Sequence, residues 1–232
     1  MNPYIIVKIP SLRAKAYICE HHYSHGCHNR PSPCYGLYDG ENLIGVCAFA
    51  TPCSERVRSS VFGEKYKGHV TELHRLHILD CTPKNTESWF ISRCLKLLKQ
   101  EKPDIWAVIS FSDLTVGHVG TIYKATNAYR LGTTPPRRFF IDETGRLRHP
   151  RQCGHNITTA EAAEMGWRAE MRESKNRYLW LLPDSKGHKR RLLKLCKYDL
   201  QGGGNIGQRT GIAGNVPRGG SYQGNLQPPD RG

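Results

Sequence analysis

Apolar and polar positions change their spacing several times along residues 1–200, and each change predicts an element. Residues 4–9 are β-branched and weakly alternating, which predicts a first strand. Ser11 is placed to cap a short helix over 12–22, whose end runs into the polar stretch His21-His22-Tyr23-Ser24-His25-Gly26. Residues 35–38 and 43–50 predict a hairpin around Asp39-Gly40, a pair suited to the positive φ angles of a tight turn. After an irregular basic connection over 51–68, residues 70–79 alternate as a strand. Leu73, Arg75 and His77 lie on one side of it, and Glu72, His74, Leu76 and Ile78 on the other. Trp89, Phe90, Cys94, Leu97 and Leu98 form an apolar stripe at helical spacing in a helix over 86–100. Residues 105–111 are almost unbroken apolar, the mark of a strand buried on both faces, and stop abruptly at Ser112-Asp113. Gly117 and Gly120 precede a short helix over 121–128. Residues 138–141 and 176–182 predict two further strands, with a helix over 159–165 between them.

Strands and helices alternating around a buried strand predict an α/β fold, a mixed central sheet flanked by helices, over residues 1–200. Residues 186–197 add a basic segment (Lys186, Lys189, Arg190, Arg191, Lys194, Lys197) with Leu192, Leu193 and Leu195 interleaved. From Gln201 the chain is rich in Gly, Pro, Asn and Gln, so residues 201–232 are expected to be a disordered C-terminal tail that buries too little surface to offset its ordering entropy.

Charge narrows the function classes. The 232 residues carry 34 Lys and Arg against 20 Asp and Glu, a net +14, and such a field concentrates polyanions. No stretch approaches the ~20 apolar residues of a bilayer span, and residues 1–10 lack the pattern of a signal peptide. The 9 cysteines are scattered singly, as reduced thiols in a cytosol would be. These features predict a cytoplasmic protein that meets nucleic acid and no membrane.

Candidate chemistry sits at element ends. The strand 70–79, helix 86–100 and strand 105–111 make a βαβ unit. Its helix start is an anion site to which Asn85, Thr86 and Ser88 add donors, with Arg75 on the strand leading in. Asp113 stands at the carboxyl end of the central strand, where α/β sheets collect reactive groups; it suits a base, a metal ligand or the cap of the next turn. His22 and Tyr23 offer a general base or ligand beside a stacking ring. The cluster His21, His22, His25, Cys27, His28 and Cys34 has no Cys-x2-Cys pair and does not favour a structural zinc.

Four motifs are together similar to the Mom family of phage DNA-modification proteins: His22-Tyr23-Ser24-His25, Glu72-Leu73-His74-Arg75-Leu76, Asn85-Thr86-Glu87-Ser88-Trp89-Phe90, and Ser112-Asp113 followed by Gly117-His118-Val119-Gly120-Thr121-Ile122-Tyr123-Lys124-Ala125. The resemblance covers residues 17–182. It implies an acetyltransferase-like (GNAT) fold and transfer of a carbamoylmethyl group to N6 of adenine in double-stranded DNA, protecting phage DNA from restriction in the host cytoplasm. It implies acetyl-CoA as donor, with iron(II) implicated. Arg75 and Ser88, beside Asn85 and Thr86, become cofactor contacts. His22, Tyr23, Asp113 and Tyr123 become the reaction centre, with His22, Asp113 and Tyr123 as metal ligands.

Two other classes remain open: an orthodox N-acetyltransferase acting on protein or a small amine, and a DNA-binding protein without chemistry. The first does not need such a charge. The second lacks a helix-turn-helix or zinc-finger pattern. Oligomeric state is open, a homodimer included.

Overall fold

A computed structural model describes residues 3–27, 30–151 and 154–200, so the expected tail lies outside the described residues. In chain order, β1 (Ile5–Lys8), α1 (Ser11–His21), β2 (Cys34–Asp39), β3 (Asn42–Ala50), α2 (Glu55–Phe62), β4 (Val70–Ile78), α3 (Thr86–Glu101) and β5 (Ala107–Asp113) come first. Then follow α4 (Thr121–Ala125), β6 (Tyr129–Thr133), β7 (Arg137–Ile141), β8 (Leu147–Arg148), α5 (Thr159–Glu164), β9 (Arg168–Arg172), β10 (Lys175–Leu181) and α6 (Lys186–Leu195). Seven strands form one sheet in the order β1-β2-β3-β4-β5-β10-β6, and three form a smaller sheet, β8-β7-β9. This is the mixed α/β architecture expected of the sequence.

The sheet is covered on both faces, which explains the apolar run of β5. Val108 packs with Phe90, Ile91 and Leu98 of α3 on one face. Its neighbours Ala107 and Ile109 turn to the other face, against Val61 and Phe62 of α2 and Leu192 of α6. Over the other half of that face, Ala14, Tyr17 and Ile18 of α1 cover Val46 and Ala48. Full burial of an aliphatic side chain contributes about 1.5–3 kcal/mol, so these contacts dominate the stability of the sheet.

One irregularity positions the site. β4 and β5 are the parallel pair, and they pair only from Val70–Glu72 against Ala107–Ile109. Beyond that β4 continues along β3 to Ile78, and β5 continues along β10 to Asp113. The two strands therefore splay, and the Ser110 hydroxyl bridges the fork by donating to the Leu73 carbonyl at 3.0 Å.

The structure departs from the sequence pattern in several places. Residues 51–68 hold α2 and a 3-10 turn, Glu64–His69, rather than an irregular connection. The hairpin turn is Gly40-Glu41, and Gly40 at its first central position carries the positive φ. The helix over 121–128 stops at Ala125, before Asn127 with φ 59°. Asn85 precedes α3 in the left-handed region without a side-chain cap. Thr158 caps α5 in a reciprocal capping box with Glu161.

Candidate active site in the strand fork

A cavity of about 430 Å³ opens in the fork of β4 and β5. Its walls come from Glu72 to Leu76 of β4, Phe111 and Ser112 of β5, His22 and Tyr23 after α1, Gly117 to Tyr123, and Lys175 of β10. Four of the residues singled out from sequence, His22, Tyr23, Arg75 and Tyr123, meet here.

The segment bearing His22 and Tyr23 is fixed locally. The His22 amide closes α1 on the Ile18 carbonyl at 3.0 Å, and the His25 amide turns back on the His22 carbonyl at 2.8 Å. Ser24 donates its backbone N–H to His22 Nδ1 at 3.1 Å, with its hydroxyl 2.9 Å from the same nitrogen. Arg75 then ties the segment to β4: its Nε donates to the Gly26 carbonyl at 2.8 Å and its NH1 to the His74 carbonyl at 2.7 Å. The His22 pKa is pushed down to about 3 by burial first, then by the charges of Arg75, His77, His118 and His74. The exposed Tyr23 ring lies 4.3 Å from that of His22 and edge-on to His118 at 5.2 Å. Burial and the Asp113 charge raise the Tyr23 pKa, and Arg75 and Arg172 oppose them.

Tyr123 enters from α4. Its hydroxyl lies 3.2 Å from Ser110 Oγ, whose own proton goes to the Leu73 carbonyl, and its ring packs 5.1 Å from Tyr178 and 5.4 Å from Trp180. Burial pushes its pKa up to about 12, so the phenol is neutral at ordinary pH. Asp113 is buried and stands behind the cavity wall. Its carboxylate caps the 3-10 turn Leu114–Val116 by accepting from Thr115 N at 3.1 Å, and it pairs with Lys175 at 3.2 Å and Arg172 at 3.4 Å. Burial pushes its pKa up, and the charge and hydrogen bonds of Lys175 and Thr115 outweigh that, leaving it below the ordinary carboxylate value.

The other candidates are not brought together. Asn85, Thr86 and Ser88 sit at the start of α3, and it is Glu87 of that turn that lines the cavity. Thr86 Oγ1 donates to the Pro83 carbonyl at 2.6 Å and Ser88 Oγ to the Asn85 carbonyl at 3.0 Å. The Thr86 and Trp89 amides are used locally, by Pro83 and Asn85, which leaves the first-turn amides of Glu87 and Ser88 for a ligand or solvent.

Sequence reasoning missed Lys175 and gave no role to two lining groups inside its motifs, the Glu72–His74 pair at 3.3 Å and His118. The alternation of β4, with Glu72 and His74 on one side, was the available signal for the first.

The set expected to hold iron(II) does not fit a metal. Asp113 has its oxygens committed to Lys175, Arg172 and a backbone amide, and His22 Nδ1 is an acceptor already in use. Among the described residues no group of three or more His, Cys, Asp and Glu is placed to hold a metal. His28 of the mixed His/Cys cluster lies outside the described residues, and none of the eight described cysteines is in a disulfide. No described helix is long and apolar enough to cross a membrane.

The model of the Mom protein family matches residues 3–198. The chain belongs to the Mom protein family. A curated relative, "Methylcarbamoylase mom" of Escherichia phage Mu, is 30% identical over 129 residues, 56% of this chain and 54% of the relative. The chain thus matches about half the length of that relative. The stretch matched by the family contains every residue of the cavity wall. Among solved structures, an acetyltransferase of Bacillus subtilis in complex with CoA aligns at 10% identity over 65% of this chain and 76% of its own, with a TM-score of 0.37. The ribosomal-protein-S5-alanine acetyltransferase of Vibrio fischeri aligns at 9% identity over 80% and 97%, with a TM-score of 0.47.

Proposed function

We propose that this protein converts N6 of adenine in double-stranded DNA to its carbamoylmethyl derivative, with the two-carbon unit drawn from acetyl-CoA; bonding its methyl carbon to N6 requires a two-electron oxidant, and the amide nitrogen comes from an amine donor that displaces the CoA thiol. Membership of the Mom family carries this reading, together with the name methylcarbamoylase borne by the phage Mu relative. The fork cavity suits the donor. Past Glu72 the facing edge of β4 is no longer paired with β5, and an extended amide-bearing chain can lie along such an edge. The free first-turn amides of α3 suit a pyrophosphate.

The net charge of +14 supports a polyanionic acceptor. Adenine N6 is paired and stacked in a duplex, so the base has to be extruded, at about a few kcal/mol. The exposed Tyr23 ring offers a surface for the extruded base. Asp113 holds Lys175 at the cavity wall, and Tyr123 lends a neutral hydroxyl and an apolar wall. Such a modification shields phage DNA from restriction in the host cytoplasm.

The test is nucleoside mass spectrometry of plasmid DNA from cells expressing the chain. The expected result is an adenine adduct heavier than adenine by the carbamoylmethyl group, lost in Tyr23→Ala. Unmodified adenine in cells holding the folded protein refutes the reading.

A further inference from the structure

We propose that His22 acts as a hydrogen-bond donor, presenting an Nε2–H to the carbonyl oxygen of the bound acyl donor, and not as a general base or a metal ligand. The identity of the acceptor rests on the function proposed above; the state of the ring does not. A backbone amide can only donate, and the Ser24 amide is directed at His22 Nδ1 at 3.1 Å. Nδ1 therefore carries a lone pair and no proton. The Ser24 hydroxyl, nearer to Nδ1 at 2.9 Å than to the Gly26 carbonyl at 3.2 Å, is in position to add a second donor to the same lone pair. An imidazolium would carry protons on both nitrogens and would set Nδ1–H against the amide. The ring is thus neutral with its one proton on Nε2, the tautomer fixed by the partner of the other nitrogen.

A nitrogen that bears this proton has no lone pair to offer a metal or to accept a proton. This agrees with the poor fit of His22 and Asp113 to a metal. The charged and titratable groups that face the ring are Arg75 and His74 of β4 and His118 on the cavity wall, with the His77 ring 6.4 Å from it. Asp113, the carboxylate that acts on the adjoining Tyr23, is held by Lys175 and Arg172. His22 lines the cavity alongside Arg75 and Lys175, so the free edge of its ring adds to a wall rich in donors. A carbonyl oxygen gathering negative charge is the ligand atom that such a wall recognises. Removing one donor of this kind typically costs about 10²–10³-fold in kcat.

The state of the ring can be read in the full chain without activity, by long-range proton–nitrogen correlation with 15N-labelled histidine, His22→Gln serving to assign the signal. The expected spectrum is the neutral Nε2–H pattern, unchanged from about pH 8 to about pH 5 and unmoved by iron(II) alone under anaerobic conditions. An Nδ1–H pattern, protonation within that range, or an iron-induced loss of the His22 signal overturns the proposal. A kinetic arm checks the role. Gln places an amide donor near the position of Nε2, so His22→Gln should keep most of kcat while His22→Leu loses about 10²–10³-fold. Equal loss in both variants overturns the donor role. Absence of product from the wild type as well contradicts the function, and the tautomer measurement still decides the state of the ring.

Discussion

Replacing Gly120 by Ala should test the packing behind the cavity more sharply than any change in its lining. Gly120 has φ 76°, and a Cβ built there falls inside contact distance of the Oη, Cζ and Cε2 atoms of Tyr178. Tyr178 cannot recede, because it is fully buried and its hydroxyl donates to the Val119 carbonyl at 2.9 Å. Gly117, three residues earlier, has nearly the same φ of 75°, but a Cβ there meets nothing within 4 Å. Both substitutions carry the left-handed cost of about 1–2 kcal/mol. Gly120→Ala adds overpacking of about 1–3 kcal/mol and strains a hydrogen bond with a net worth of about 0.5–1.5 kcal/mol. Together these terms give about 3–6 kcal/mol for Gly120→Ala against about 1–2 for Gly117→Ala, from a total stability on the order of 5–15 kcal/mol. Urea unfolding followed by tryptophan fluorescence separates the two, with Trp180 edge-on to Tyr123 as a local reporter. Equal midpoints for the two variants would falsify the close approach of Tyr178 to the Gly120 backbone.

Asp113→Asn should cost about 1–3 kcal/mol near neutral pH, since it leaves Lys175 and Arg172 without their shared carboxylate. The folded Asp113 pKa is depressed, so its stabilisation is present above the ordinary carboxylate pKa of about 4 and fades as pH falls through the lower folded value. The gap between wild type and Asp113→Asn in urea midpoint should therefore narrow below about pH 4, and a gap independent of pH would contradict the pairing. Arg75→Ala should release the Gly26 carbonyl and raise hydrogen exchange at residues 22–26; unchanged exchange there would show that the clamp to β4 is dispensable. On α6 the exposed Lys186, Lys189, Arg190 and Lys194 share helical spacing, at the end of the sheet opposite Asp113. Their joint replacement by Gln should lower the salt slope of DNA binding by about 0.9 for each phosphate no longer neutralised, and an identical slope would assign the DNA surface elsewhere.

How much of this was legible depended on whether the signal was local. The β4–α3–β5 unit announced itself because a period-2 strand, a 3.6-period stripe and an unbroken apolar run each follow from a different exposure. The helix α2 stayed hidden, since its buried Val61 and Phe62 sit among Glu55, Arg56, Arg58, Ser59 and Ser60. The strand β9, Arg168–Arg172, reads as a charged segment and is a strand because β7 pairs with it. At the site, the end of β5 placed Asp113 correctly, yet its partners are distant in sequence, Arg172 on β9 of the small sheet and Lys175 beside it on β10, and no local pattern shows that they occupy the carboxylate. The metal expectation failed to fit for that reason: residue type suggested ligands, and the long-range partners decide whether their lone pairs are free.

The same question of which lone pairs are free explains why the fork selects its ligand. Where one strand diverges from its neighbour, backbone groups are left in need of partners. Two carbonyls of the splayed segment already have them: Ser110 takes that of Leu73, and Arg75 takes that of His74 while also holding Gly26. Side-chain donors thus satisfy acceptors of the chain itself. What the cavity presents to a ligand is the Lys175 ammonium and the free edge of His22 as donors and the Glu87 carboxylate as acceptor, with Glu72 paired to His74. Carbonyl and phosphate oxygens of a ligand find donors there.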